Sequence, residues 1–199
     1  MKLPDSAHES RPWRIHELTP DFDLEDVWLV PGELPPERFP RFIELIAETD
    51  PAESSSLPVR LLFRLRWALG SLFGWDREST GVGERVASLG ERLPADLRAA
   101  DRGPGLSGAP FAPLYLLDDE YAAEIANETV HGVMHFGLVE VAGVPRVQMA
   151  VLVKPNGLLG RAYMQAIKPF RYLVVYPRML EQLGRLAAAA SRAEDAVDV

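Results

Sequence analysis

Apolar and polar positions alternate in some stretches of the chain and recur every three or four residues in others. Alternation over residues 15–30, up to the Pro31-Gly32 break, predicts an extended strand. Spacings of three and four over residues 35–49, after two prolines, predict a helix. Residues 57–73 are apolar on nearly every side, which predicts a second and deeply buried helix.

The second half of the chain predicts a β meander followed by a long helix. Three extended segments are predicted, at about residues 114–127, 129–142 and 145–155. A helix then runs from Gly157 to about Leu186, and Pro169 and Pro177 should bend it because proline lacks a backbone N–H. Residues 76–113 are rich in glycine and proline, and we interpret them either as a lid over a site or as a mobile loop.

The order of these elements predicts the fold class. A strand, two helices, an antiparallel meander and one long C-terminal helix are the elements of the α+β helix-grip (START-like) fold. In that fold a curved sheet wraps around the last helix and leaves a cavity between them. We expect one such domain at residues 13–186, a flexible N-terminus at residues 1–12 and a flexible tail at residues 187–199.

The predicted hairpin turns decide which side chains share a face of the sheet. With two-residue turns at Asn127-Glu128 and Ala142-Gly143, Glu124 lies opposite His131, and Glu120 lies opposite His135. One face then carries the polar residues Glu120, Glu124, His131, His135, Arg146, Gln148 and Lys154. The other carries Tyr121, Ile125, Met134, Phe136, Leu138, Val147, Met149, Val151 and Val153 and is the predicted core face. We expect the polar face to meet solvent or a partner, or to hold a functional Glu–His pair.

His131 and His135 first suggest a metal site, because histidines four residues apart share one face of a helix. Their segment is a predicted strand, however, where residues four apart lie roughly 13 Å from each other. That distance is too long for one zinc ion to bind both rings. We therefore predict no metal site, and nothing in the chain indicates a cofactor.

Two further residues are candidates for acid–base chemistry. Asp26 falls on the apolar face of the first strand, where a buried carboxylate could act as an acid or a base, or could be a hydrogen-bonded structural group. Tyr163 belongs to the apolar stripe of the C-terminal helix and could present its hydroxyl to the cavity, or could pack in the core. The weak catalytic candidates are Asp26, Tyr163, His131, His135 and Glu124.

Composition and charge exclude several functional classes. The absence of cysteine removes disulfides, thiolate catalysis and zinc-thiolate sites, and the net charge of −8 argues against general nucleic-acid binding. The N-terminus lacks the apolar core of a signal peptide, and arginines interrupt the longest apolar run, so we expect a cytoplasmic protein without an integral membrane segment. Residues 154–185 hold six Lys or Arg against one Glu, a net +5 that leaves −13 elsewhere. This segment could attract a partner or an anionic surface, or could be a solvated helix face.

Two sets of residues resemble a known family. They are Gly160-Arg161-Ala162-Tyr163 with Ile167-Lys168-Pro169-Phe170 and Val174-Val175-Tyr176-Pro177, and Glu124-Ile125-Ala126-Asn127-Glu128-Thr129-Val130-His131 with His135. Over residues 13–186 the chain resembles an uncharacterised bacterial domain-of-unknown-function family, grouped with START-like and polyketide-cyclase-like (SRPBCC) helix-grip proteins. The resemblance implies a cavity that binds apolar small molecules, carries lipids or supports cyclase-type chemistry. It assigns no catalytic residues.

These observations lead us to expect an apolar small molecule between the core face and the C-terminal helix. The residues expected to contact it are Tyr163, Met134, Phe136, Met149 and Phe170. One alternative is a cyclase, isomerase or hydratase that uses acid–base residues in this cavity. Another is a protein-interaction module without a ligand, and a homodimer is compatible with each of these functions.

Overall fold

The structure is a computed structural model that describes residues 1–49, 86–106, 111–126 and 130–192. The helix predicted at residues 57–73 therefore lies outside the described residues. So do residues 76–85 and 107–110 of the predicted lid, the predicted turn at Asn127-Glu128 and residues 193–199 of the predicted tail. The side chain of Tyr163 also lies outside them.

Six strands of the described residues form one antiparallel sheet in the order β1-β2-β6-β5-β4-β3. They are β1 Lys2–Leu3, β2 Asp23–Leu29, β3 Ala112–Leu116, β4 Glu120–Ala126, β5 Val130–Val141 and β6 Val144–Pro155. The hairpin between β5 and β6 turns at Ala142-Gly143 as predicted, with φ angles of 53° and 79°. Two positive φ angles match the twist of a two-residue hairpin, so this turn sets the predicted register.

Helices lie on both sides of the sheet. They are α1 Ser6–Glu9, α2 Ile15–Leu18, α3 Phe39–Glu48, α4 Ala95–Ala99, α5 Gly157–Phe170 and α6 Tyr176–Arg192. Short 3-10 turns occur at Pro36–Arg38 and Leu89–Arg92, and a π-helical turn at Arg171–Val175 joins α5 to α6. We refer to α5, the π turn and α6 together as the C-terminal helix. Its hydrogen bonding becomes irregular between Pro169 and Pro177, the two residues that cannot donate a backbone hydrogen bond.

Both faces of the sheet are buried. On one side, the helix face, α3 and α6 pack over Tyr121, Phe136, Val147 and Met149. On the other side, the cover face, α2, the 3-10 turn at Leu89–Arg92 and α4 pack over Ala122, Val133, Ala150 and Leu152. The helix face is the core face that the sequence predicts. A curved six-stranded sheet with a long C-terminal helix confirms the α+β, helix-grip prediction.

Strand β2 contains a bulge at Glu25. Leu24 pairs with Leu152 and Asp26 pairs with Val151, so Glu25 is an inserted residue without a partner in β6. Because of the insertion, Leu24 lies on the cover face. Asp26 lies on the helix face, and the residues after it alternate between the two faces from that position. Sequence alternation placed Leu24 and Asp26 on one face, and this was wrong because alternation does not reveal a bulge.

Several boundaries differ from the predictions. Residues 1–12, predicted as a flexible N-terminus, are held on the sheet by β1 and α1. Residues 15–18 are helical rather than extended, and the segment at 114–127 contains two strands, β3 and β4. The α6 helix continues to Arg192, past the predicted domain end at residue 186. Within the predicted lid, residues 86–99 pack on the cover face, so this part does not lie over the helix face.

Candidate functional site

Asp26 is the centre of a polar cluster on the helix face. Its side chain is fully buried. One carboxylate oxygen accepts hydrogen bonds from the Tyr176 hydroxyl at 2.6 Å and from the Arg171 guanidinium. The other accepts from the Tyr172 hydroxyl and lies 3.5 Å from the Lys2 ammonium. We call these five residues the Asp26 cluster.

The π turn explains how one helix supplies three of these side chains. In a regular α-helix, residues five apart are rotated by roughly 140° from each other. In this turn the Tyr176 N–H donates to the Arg171 carbonyl, five residues earlier, which brings both residues to the same side. The Arg171 guanidinium also donates to the Tyr176 hydroxyl at 3.0 Å. A hydrogen bond within the helix therefore holds these two donors to Asp26 beside each other.

The cluster reaches solvent through Lys2, whose side chain is 45% exposed. The Lys2 ammonium donates to the Tyr172 hydroxyl at 2.6 Å, and that hydroxyl donates to Asp26. The indole of Trp28 packs against the rings of Tyr172 and Tyr176, with centroids at 6.0 and 4.9 Å. Its Nε1 is buried without a hydrogen-bond partner. A continuous chain of polar groups therefore connects the surface to the buried carboxylate.

The two phenols are hydrogen-bond donors at neutral pH. Burial, followed by the hydrogen bond to Asp26, raises the pKa of Tyr172 despite the opposing effect of Lys2. Burial also raises the pKa of Tyr176, although the charge of Arg171 opposes this. The hydrogen bond to Tyr172 raises the pKa of Lys2 and keeps the ammonium charged. The end of the cluster that reaches solvent therefore carries the Lys2 ammonium and the protonated phenol of Tyr172.

A second polar network lies on the cover face. Glu120 accepts hydrogen bonds from the backbone N–H groups of Arg14 and Ile15 at 2.9 and 3.0 Å. It also accepts from the Tyr115 hydroxyl at 2.5 Å and from His135 Nε2 at 3.0 Å. Because the two N–H groups begin α2, the carboxylate of Glu120 performs the role of a helix cap.

Glu124 repeats this arrangement. It accepts from the Ser88 hydroxyl at 2.5 Å and the Leu89 N–H at 3.0 Å, where a 3-10 turn begins, and from His131 Nε2 at 2.8 Å. The hydrogen-bonded donors lower its pKa despite burial. Both Glu–His pairs therefore fasten covering segments to the sheet.

The histidines lie on the predicted face, but the expectation that this face meets solvent was wrong. His131 and His135 are buried, because the N-terminal segment and residues 86–99 cover them. The predicted register between β4 and β5 was also off by two residues, since Glu124 pairs with Val133 rather than with His131. An even error leaves every side chain on its face, which is why both predicted Glu–His contacts still form.

His8 joins this network and was not a sequence candidate. Its Nε2 shares a hydrogen bond of 3.2 Å with His135 Nδ1, and its ring is fully buried. Burial, and then the neighbouring His135 and His16, lower the pKa of His8 to about 3. His8 is therefore neutral at pH 7. It stands in a short segment without periodicity, so no sequence signal marked it.

Three of the residues predicted to contact a ligand lie on the helix face. Phe136 and Met149 are fully buried there, Met134 is half-buried, and Phe170 is half-buried at the end of α5. In the ranges that the structure describes, no group of three or more His, Asp or Glu is placed to hold a metal ion. Nor does any helix in those ranges combine the length and apolarity needed to cross a membrane.

The chain matches one family model, described as "Protein of unknown function (DUF2867)", over residues 18–178. This stretch is most of the chain, which therefore belongs to that family. It contains Asp26, Arg171, Tyr172 and Tyr176, whereas Lys2 and His8 precede it. No curated protein and no solved structure matches the chain.

Proposed function

We propose that this member of the DUF2867 family binds an apolar small molecule between the helix face and the C-terminal helix. The Asp26 cluster would be its polar anchor. The observation that carries the proposal is the burial of this cluster beside a half-buried apolar row of the sheet. A buried ion pair contributes little stability compared with apolar side chains of the same size, so a domain that needed only a core gains little from it. Irregular π turns also occur frequently at functional sites.

The pairing of the strands supports a position for the apolar part of the proposed ligand. Asp26 pairs with Val151, and Val151 pairs with Met134, so these three residues form one row across the helix face. Val151 and Met134 are only half-buried, whereas Met149 and Phe136 in the adjacent row are fully buried. Val151 and Met134 are thus less completely buried than their neighbours Met149 and Phe136, and the adaptable Met134 side chain suits a ligand wall.

The test is the binding of Nile red, a neutral apolar probe, followed by its fluorescence. We expect the wild type to bind it and Met134→Trp, which fills the row, to bind at least about tenfold more weakly. Leu138→Trp is the matched control, because Leu138 is a half-buried residue on the same face of β5 but outside the row. Thermal melts would verify that both variants fold. Absence of wild-type binding, or equal losses in both variants, would refute the proposal.

A second function is favoured by the chain of hydrogen bonds from Lys2 through Tyr172 to Asp26. If the Tyr172 hydroxyl turned from Asp26 to a substrate, it could donate its proton to a carbonyl oxygen, and the Lys2 ammonium would stabilise the phenolate left behind, which suits a cyclase, isomerase or hydratase. Removing the hydroxyl separates the two functions. If the protein is an enzyme, Tyr172→Phe should keep Nile red binding but lose conversion of any ligand that native mass spectrometry finds bound to the wild type. Unchanged conversion would exclude Tyr172 as the acid.

A further inference from the structure

The outer side of the C-terminal helix carries an exposed apolar ridge. Leu158 and Leu173 are 83% and 78% exposed. Pro169 and Pro177 are exposed as well, and the four residues follow one another at spacings of eleven, four and four. These spacings correspond to whole numbers of helical turns, so the four side chains line one side of the helix. Two leucines this exposed on one side of a helix can enter an apolar environment without any change of the fold.

Cations accompany this ridge along its whole length. The exposed basic residues of the helix are Arg161, Lys168, Arg178, Arg185 and Arg192. The acidic residue between them is Glu181, which forms an ion pair with Arg185 at 3.0 Å. The remaining cation of the helix, Arg171, is buried against Asp26. These exposed basic residues, which we call the cationic strip, lie on a chain whose net charge is −8.

An open groove runs beside the second half of the strip, with a volume of about 720 Å³. Its walls are mostly apolar and come from α6 and the turn after β2. They are formed by Pro31, Gly32, Pro177, Leu180, Gly184 and Ala188. Glu181, Arg185 and Arg192 stand at its charged edge. Cationic side chains thus border a space that suits an apolar chain.

We propose that this side of the C-terminal helix binds the surface of an anionic phospholipid bilayer. The arginines and the lysine would lie against phosphate headgroups, Leu158 and Leu173 would enter the boundary with the acyl chains, and the groove would take part of one lipid. Alternation of exposed leucines with flanking cations along one helix is the pattern of a helix that lies in the membrane interface. Nucleic acid is a poorer fit, because phosphates give no partner to exposed leucines and the rest of the chain would repel them. This proposal does not depend on the ligand proposed for the Asp26 cluster.

The experiment is flotation of the full chain with vesicles of phosphatidylcholine, with and without phosphatidylglycerol. We expect binding only to the anionic vesicles, and weaker binding as salt is raised. Each cation near such a surface changes binding by roughly fivefold, so the double substitution Arg178→Gln with Arg185→Gln should weaken it roughly thirtyfold. Leu158→Ser with Leu173→Ser should also weaken it, and this effect should not depend on salt.

Two matched controls use exposed residues elsewhere. Arg41→Gln removes a half-exposed cation from α3, and Val141→Ser removes an exposed apolar side chain from the β5–β6 turn. Both should bind vesicles as the wild type does. Equal binding to neutral vesicles, no flotation of the wild type, or the same loss in the controls would overturn the proposal. Binding to duplex DNA in the same salt without binding to vesicles would also overturn it.

Discussion

Acidification from pH 7 to about pH 5 should destabilise this protein through one buried side chain, His8. The unfolded chain carries a histidine with an ordinary pKa of 6.5, whereas burial beside His135 lowers the pKa of His8 to about 3 in the folded state. Over this pH range the unfolded state therefore binds a proton on His8 that the folded state does not bind. Because the unfolded state binds more protons, the free energy of unfolding falls as the pH falls.

The two pKa values give the size of the effect. Integrating proton uptake between pH 7 and pH 5 gives a loss of about 2 kcal/mol. The pKa values of Glu120 and Glu124 are lowered as well, in each case by hydrogen-bonded donors that outweigh burial. Those carboxylates contribute stability above their ordinary pKa of 4.5, which is lost only as the pH falls below that value. The loss of unfolding free energy between pH 7 and pH 5 therefore comes from histidine and not from these carboxylates.

Urea denaturation at the two pH values, followed by circular dichroism, measures this loss. The wild type should lose about 2 kcal/mol more than His8→Gln, which has no proton to take up. His16→Gln is the matched control, since His16 lies against the His8 ring but is only half-buried, and it should keep most of the wild-type loss. If His8→Gln and the wild type lost equal stability on acidification, His8 would not be the buried neutral group described above.

Two further predictions concern packing and hydrogen bonding. Gly137→Ala should lower stability by about 1–3 kcal/mol in thermal melts, because a Cβ would lie 2.6 Å from the Trp13 ring. Gly132→Ala, whose added Cβ would meet its nearest neighbour at an ordinary 3.5 Å, should cost less, and the reverse order would contradict the packing of the cover. Tyr176→Phe should cost about 1–3 kcal/mol in urea melts, because it leaves buried Asp26 short of one donor. A loss below about 0.5 kcal/mol would show that Tyr176 is not needed to satisfy this carboxylate.

Sequence periodicity predicted those parts of the fold that depend on side-chain alternation. It predicted the register of the β5–β6 hairpin and the faces of His131 and Phe136, because the period of a strand is two and the turn at Ala142-Gly143 is recognisable. It did not predict which segments pack on the cover face, because Glu120 and Glu124 bind them largely through backbone N–H groups, which every residue type except proline offers.

The Asp26 cluster was predicted in part. Asp26 was a candidate because a carboxylate interrupts an apolar strand, but its partners Arg171 and Tyr172 look like ordinary residues of an amphipathic helix. Only the pair Pro169 and Pro177 marks this stretch as irregular, and prolines alone do not show that the hydrogen bonding becomes π-helical. The predicted ligand contact at Tyr163 stays a prediction.

The inserted Glu25 has a consequence for how members of this family can be aligned and engineered. Deleting Glu25 would restore plain alternation and leave Asp26 facing the C-terminal helix, because Leu24 and Asp26 already pair with the adjacent residues Leu152 and Val151. The Glu25 carboxylate also lies 3.5 Å from the Arg171 guanidinium, so replacing Glu25 would remove one partner of the cation that binds Asp26. A relative without the bulge should therefore be aligned with a gap at this position, because an alignment without the gap would join residues that lie on opposite faces of the sheet.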